Sequence, residues 1–185
     1  ICKRYMSSDN TAILEDIIEG CKSKEQSSQR RLYELYSKRM VSLCMRYTGD
    51  YDTARDLMHD GFIKTFNSIC DYKGYGSFEG WLRRIFVNLS IDYVTRQMKK
   101  VDIDSMEHTL QSTDNEDDTI QGIDIEEIYA AIKQLPDIAR TIFNMFNLDG
   151  YTIQEIADKL NMSNVAVRSQ HSRAKERLRQ ILTRK

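Results

Sequence analysis

With 185 residues and 41% hydrophobic side chains, the chain can form one large domain or two small ones with real cores, which argues against disorder throughout. A single proline, 8 glycines and a charged fraction of 30% disfavour a turn-rich β-sandwich and point to nearly all-α structure with solvated helix faces. The net charge of -1 hides a segregated distribution: residues 101–128 hold ten acidic residues (Asp102, Asp104, Glu107, Asp114, Glu116, Asp117, Asp118, Asp124, Glu126, Glu127) and no Lys or Arg, whereas residues 151–185 hold eight basic against three acidic residues, a basic C-terminus suited to an anionic partner.

The chain opens Ile1-Cys-Lys-Arg-Tyr, so Ile1 is not an initiator; Met6 is the expected natural start, and residues 1–10 are expected to form a tail. Cys2, Cys21, Cys44 and Cys70 are far apart, with no C-x-x-C pair and no nearby histidine to complete a zinc set. No metal or cofactor is therefore expected. A reducing, cytoplasmic setting fits, with Cys44 and Cys70 as small core residues. No apolar run approaches the ~20 residues needed to span a bilayer, and there is no basic-then-apolar signal peptide. The protein is expected to be soluble, unexported and without membrane contact of its own.

From Thr11 to about Arg96 apolar residues recur at helical spacing. Leu32, Leu35, Tyr36, Met40, Leu43, Cys44 and Tyr47 trace one helix stripe, which Thr48-Gly49-Asp50 stops with a glycine able to adopt a left-handed cap. A second helix is predicted from about Asp52 to Ile69, with Leu57, Met58, Phe62, Phe66 and Ile69 as its apolar positions. Asp71 to Ser77 reads as a glycine-containing loop, and a third helix from about Phe78 to Gln97 buries Phe78, Trp81, Leu82, Ile85 and Leu89. The polar, acidic segment 101–122 lacks the apolar residues to form a core, so it is predicted to be a flexible linker between a first domain over 11–100 and a second over 123–185.

In the second domain, Pro136 suits the first turn of a helix whose Ile138, Ile142, Phe143 and Phe146 share a face and which Asp149-Gly150 ends. The sharpest local signal follows, over residues 151–170. Thr152 and Glu155 form a T-x-x-E capping box, and Tyr151 can staple onto Ile156. Ala157 is small enough for a second helix to cross closely. Asn161 occupies the turn, where the chain must visit positive φ and Asn is the most tolerant residue after Gly. Ser163 caps the next helix, and Met162 can staple onto Val167. Two helices so joined are a helix-turn-helix.

At 100° per residue the second of these helices turns Val167, Ala174, Leu178 and Ile181 inward and Val165, Arg168, Ser169, Ser172 and Glu176 outward. Arg and Ser near a helix N-terminus suit a major groove, where Arg can bond guanine edges. Arg173, Lys175, Arg177 and Arg179 are placed for phosphates. Basic runs at helix ends are also often only solvated faces. The capped two-helix frame favours the DNA-reading role.

Over residues 30–100 and 123–182 the chain resembles the extracytoplasmic-function (ECF) class of sigma factors. The strings that carry the resemblance are Leu32-Tyr-Glu-Leu-Tyr, Thr48-Gly-Asp, Ala54-Arg-Asp-Leu-Met-His-Asp-Gly-Phe-Ile-Lys-Thr-Phe and Phe78-Glu-Gly-Trp-Leu-Arg-Arg-Ile-Phe-Val-Asn-Leu-Ser-Ile-Asp-Tyr. Leu135-Pro, Arg140-x-Ile-Phe, Gly150-Tyr-x-x-x-Glu-Ile-Ala and Val167-Arg-Ser-x-x-x-Arg-Ala-Lys-x-x-Leu complete them. Each is degenerate alone; their order and spacing are specific.

The resemblance implies a sigma region 2 helical bundle that holds core RNA polymerase and melts the −10 element, and a sigma region 4 that binds the −35 element. It also implies docking of the helix carrying Asp56, His59 and Asp60 on the β′ clamp coiled coil, with Phe62 and Phe66 as packing residues, and engagement of the β flap by region 4. By the same matching, Asn88 takes the base-pocket position for a flipped −10 base, with Arg84 and Trp81 beside it and Tyr72, Tyr75 and Ser77 in the preceding loop. Such a base can be bonded on its edges and stacked on side chains. A lone Trp at helical spacing is also, and more often, a core residue. Arg83, Arg96, Lys99 and Lys100 are assigned to phosphates. Arg168, Ser169, Ser172 and Arg173 match the −35 contacts. Family members are often held inactive by an anti-sigma protein, which is a candidate partner of a chain expected to be monomeric when free.

The sequence departs from the family at Asn161, where Gly is usual, and at His171, where Leu or Ile is usual; the imidazole either faces the core or is half exposed near DNA. Two other readings compete. A ligand-sensing helix-turn-helix regulator would share the C-terminal signals but leaves the Asp56–Phe66 and Phe78–Tyr93 strings unexplained. A metal enzyme built on Asp114 to Asp118 would have neither EF-hand spacing nor a paired base or nucleophile.

Overall fold

A computed structural model describes residues 8–101 and 125–183. The expected tail, residues 1–10, lies mostly outside the described residues, and so does the expected linker except for Val101. Among the described residues every regular element is helical: α1 (Ser8–Lys22), α2 (Gln26–Thr48), α3 (Tyr51–Ser68) with a 3-10 turn (Ile69–Asp71), α4 (Phe78–Val101), α5 (Ile125–Lys133), α6 (Asp137–Phe143) continued by a π turn (Asn144–Leu148), α7 (Ile153–Leu160) and α8 (Asn164–Thr183). The all-α expectation holds. Contacts divide the described residues into two compact units, one of those up to Cys44 with Asp52–Asn88, the other of Met45–Tyr51 with the described residues from Leu89 onward.

The first unit is built on apolar stripes at i, i+3 and i+4 spacing. Leu32, Tyr36, Met40, Leu43 and Cys44 of α2 are buried, as are Ala54, Leu57, Met58 and Phe62 of α3 and Phe78, Leu82, Phe86 and Val87 of α4, while α1 adds Ile17, Ile18 and Cys21. Leu35, predicted on the α2 stripe, is 54% exposed, because Leu32, Tyr36 and Met40 already form the i+4 row that meets the core. Cys70, predicted as a core residue, is exposed in the 3-10 turn that follows α3; Cys21 and Cys44 are the buried thiols. Burial, then Glu25, raises the Cys21 thiol to about 11, so it stays a neutral packing group.

The α4 stripe also differs from expectation. Phe78 and Leu82 are buried as predicted, but the row continues through Phe86, Ser90 and Val94, with Val87 and Ile91 alongside; Trp81, Ile85 and Leu89 are half-buried on the flank. The cause is a close approach between α3 and α4 at Gly61. A Cβ there would stand 2.3 Å from Phe86 Cε1, so only hydrogen at this position lets the ring lie against the α3 backbone. Phe86 then meets Phe62 edge-on at 5.3 Å.

In the second unit, Ala131, Ile132, Leu135, Ala139, Ala174 and Leu178 form one core cluster, joined by Phe143, Ile181 and Leu182. Ile142, Met145, Ile156, Ala157, Leu160 and Val167 are buried in the same unit. Arg140, a motif residue, is buried here. Its guanidinium donates to the carbonyls of Leu135 (3.0 Å) and Tyr47 (3.1 Å) and pairs with Asp137 (2.6 Å), so its charge is satisfied internally. The Tyr47 hydroxyl bonds Asp149, and burial, then that carboxylate, raises its pKa.

The helix ending near Asp149 was predicted to carry Phe146 on the same face as Ile138, Ile142 and Phe143. It does not: Phe146 is 38% exposed and Met145 is fully buried instead. The π turn over 144–148 adds a residue to the last turn, which rotates Phe146 off the face and brings Met145 onto it.

Gly61→Ala should destabilise the protein by about 1–3 kcal/mol through overpacking against Phe86, despite a helix-propensity gain of about 1 kcal/mol. Urea unfolding measures the balance; an unchanged or raised midpoint would remove the close-approach argument.

Candidate nucleic-acid interface

The helix-turn-helix forms as its sequence dictates. The Thr152 hydroxyl accepts from Glu155 N (3.2 Å) and donates to the Glu155 carboxylate (2.8 Å), which also accepts from Thr152 N (2.8 Å). This completes the capping box. Those bonds, the backbone one first, hold the exposed Glu155 carboxyl below its ordinary range. α7 ends at Asn161, whose φ of 54° and ψ of 46° are left-handed, and the Met162 amide returns to Ala157 O. Ser163 Oγ then accepts from Ala166 N (3.1 Å) and caps α8. Every local expectation for caps and turn is met.

α8 carries the predicted inward face and part of the predicted outward one. Val167, Ala174 and Leu178 are buried, and Ile181 packs partly against the core. Val165 is 77% exposed. Arg168, Lys175 and Glu176 are exposed, whereas Ser169, Ser172 and Arg173 are half-buried at the edges of that face. A contact that sequence reasoning missed joins the two helices: Asn164 Nδ2 donates to Gln154 Oε1 at 2.7 Å. Two polar residues, each at the exposed start of a helix, were the available signal.

His171 is half-buried. Its ring lies 4.6 Å from that of Phe146 and 6.3 Å from that of Phe143, and Nε2 is hydrogen-bonded to Asn147 Oδ1 at 2.8 Å. Burial first, then the Lys175 charge, holds its pKa below the ordinary value. The ring thus packs on Phe143 and Phe146 while remaining half exposed.

In the first unit, the loop before α4 is bounded by aromatic contacts. Tyr72 meets Phe78 (5.2 Å) and Trp81 (5.6 Å), and its hydroxyl donates to Gly76 O (3.0 Å). Gly74 and Gly76 both take φ of +80°, so the loop turns back sharply around Tyr75, which is 91% exposed at its tip. Ser77 Oγ accepts from Gly80 N (3.1 Å) and so caps α4. That role accounts for its hydroxyl more simply than base contact does. Trp81 and Asn88 are half-buried and Arg84 is exposed; their i, i+3, i+7 spacing gathers them on one flank of α4, with Arg83, also half-buried, to the side.

Asp56, His59 and Asp60 are all exposed on α3. Tyr33, which sequence reasoning did not single out, hydrogen-bonds His59 (3.3 Å) and packs on Phe62 (4.8 Å). Phe62 is buried and Phe66 half-buried, as packing residues should be. No group of His, Cys, Asp and Glu among the described residues has the arrangement of a metal site. Among the same residues no helix is long and apolar enough to cross a membrane.

Residues 32–100 match the family described as Sigma-70 region 2, and residues 125–178 match Sigma-70, region 4. Over 161 residues the chain is 29% identical to the ECF RNA polymerase sigma factor SigE of Mycolicibacterium smegmatis, covering 83% of this chain and 61% of that one. The chain thus spans about three-fifths of the length of that relative. It is 26% identical over 171 residues to the ECF RNA polymerase sigma-E factor of Escherichia coli (strain K12), covering 86% of this chain and 89% of that one. A solved structure of the sigma factor RpoE in complex with the anti-sigma factor NepR from Bartonella quintana is 18% identical, with a TM-score of 0.49, over 84% of this chain and 96% of that one. Region 2 precedes region 4, and the two matches together cover more than half of the chain. The chain belongs to the ECF subfamily of the sigma-70 family.

Removing the α7 cap isolates its contribution. Thr152→Ala should cost about 1 kcal/mol and speed amide exchange in α7. Because the Glu155 pKa is lowered on folding, its contribution is complete above the ordinary value of 4.5 and is lost as pH falls through the folded value. Exchange rates in α7 that are the same in both proteins would show the cap to be idle.

Proposed function

We propose that the chain binds core RNA polymerase mainly through α3, reads the −35 element with α8, and captures an unpaired −10 base at α4 and its preceding loop. The observation that carries this reading is a capped helix-turn-helix whose exposed α8 face begins with Val165 and Arg168, in a chain matching both sigma regions in order. Arg168 suits bidentate bonding to a guanine, with Ser169, Ser172 and Arg173 flanking it for bases and backbone. Lys175, exposed one turn further on than Ser172, suits a phosphate.

On α4, Asn88, Arg84 and Trp81 would receive the flipped base, and exposed Tyr75 offers a face for stacking. Arg83 would meet a phosphate. Ser77 is assigned first to capping α4. Asp56, His59 and Asp60 would meet the β′ clamp coiled coil, and region 4 the β flap, with steering by charge. The chain then acts in the cytoplasm, where polymerase works, and adds no catalytic step of its own. An anti-sigma protein is the candidate regulator.

Two comparisons test the residue roles. Arg168→Ala should cost roughly 1–3 kcal/mol of promoter affinity and relax preference at one base pair, whereas Lys175→Ala should weaken all sequences alike and reduce the salt slope. Affinities on a promoter and its single-base variants at several salt concentrations separate them. A uniform loss for Arg168→Ala would reduce that residue to a phosphate contact. Asp60→Lys should weaken polymerase affinity in a titration with core enzyme while leaving the circular dichroism melt unchanged, since reversing an exposed helix charge rarely unfolds it. Unaltered affinity would take Asp60 out of the docking face.

A further inference from the structure

α8 is held by two side-chain hydrogen bonds that bracket its candidate base-reading residue. Asn164, at its first turn, donates to Gln154 of α7, and His171, seven residues on, bonds Asn147 of the π turn. Arg168 lies between the two, within one turn of each. Asn147 Oδ1 can only accept, so the Nε2 of His171 is the donor in this bond, and Nδ1 is the nitrogen at which the neutral ring would take up a second proton. The groups facing the ring are the aromatic rings of Phe143 and Phe146, the Asn147 amide, and the Lys175 ammonium of its own helix.

We infer that His171 is a positioning residue for −35 recognition: the neutral imidazole pins α8 to the π turn, fixing the pose of Arg168, Ser169 and Ser172, and its protonation loosens that pose. The inference rests on the proposed −35 role of α8. A second proton would place a cation in a half-buried aromatic slot one turn from Lys175, and both effects disfavour it, burial more. The docked ring therefore binds a proton less readily than an undocked one. Docking is complete above the ordinary histidine value of 6.5 and is lost as pH falls below it towards the docked value. A histidine contacting DNA phosphates would do the reverse, because protonation would add an attractive charge.

The full chain with core polymerase is titrated on a promoter recovered by sequencing the DNA that this complex retains, and on the same DNA with its −35 element scrambled. The affinity ratio is the −35 contribution, measured at pH 7.5 and 5.8 at constant ionic strength for the wild type, His171→Gln and His171→Ala. The wild-type ratio should fall at the lower pH. His171→Gln, which keeps a donor for Asn147 but does not titrate, should match the wild type at pH 7.5 and stay level. His171→Ala should be several-fold lower at both pH values, with a far-UV spectrum like that of the wild type. A wild-type ratio that rises on acidification, or a His171→Gln profile that follows the wild type, would overturn the positioning role while leaving the −35 reading intact. No −35 contribution from the wild type at pH 7.5 would instead overturn the reading of α8, and this inference with it.

Discussion

The geometry of the helix-turn-helix depends on one reciprocal interaction, the capping box between Thr152 and Glu155. α7 is only eight residues long, too short to persist in water on propensity alone. Its existence rests on satisfied ends and on burial of Ile156, Ala157 and Leu160. The box fixes where the helix begins, and left-handed Asn161 fixes where it stops and in which direction the chain leaves. Had either end frayed, Ser163 would not meet the first turn of α8 at a defined angle, and Arg168 would have no set direction. Specific base contact needs such rigidity, because a bidentate pair tolerates little error in placement.

The first unit meets a comparable demand by packing. With hydrogen at Gly61, the Phe86 ring lies against α3, and α3 and α4 approach closely enough to share Phe62. That contact commits one side of each helix to the core and leaves the opposite sides exposed. On α3 the exposed side carries Asp56, His59 and Asp60, and on α4 the flank carries Trp81, Arg84 and Asn88. One close approach thus gives two faces their directions. Trp81 illustrates the compromise: it packs on Tyr72 and Phe78 and is only half-buried.

Much of this was legible in the sequence because the signals were local. Caps, the positive-φ turn and the buried stripe of α8 depend on residues within a few positions of each other and match the expectation, while Ser169 and Ser172, expected outward, are half-buried. What was not legible depended on partners distant in sequence or on irregular backbone. A periodic stripe identifies a helix but not its width, so Leu35 was assigned inward although Leu32 and Tyr36 already fill the space it would need. Cys70 follows a helix end, where the 3.6-residue period no longer applies. Phe86 was passed over because nothing local marks Gly61 as its seat; the two are brought together only by tertiary packing.

The π turn over Asn144–Leu148 accounts for the unexpected exposure of Phe146. A regular helix would continue the face of Ile138 and Ile142 into Phe146. The wider turn substitutes Met145, buries Asn144 so that its Nδ2 bonds Arg46 O (2.7 Å), and directs Phe146 and Asn147 towards α8. Such a turn is rare and occurs mostly as a single wide turn within a helix, so it persists where the side chains it redirects gain something in exchange. Here they receive His171, the position where the family usually has an aliphatic residue. An aliphatic side chain would fill the slot between Phe143 and Phe146 by contact alone and would leave Asn147 without this bond. Imidazole fills the same space while donating to Asn147, so the departure from the family and the irregular turn are two halves of one local arrangement.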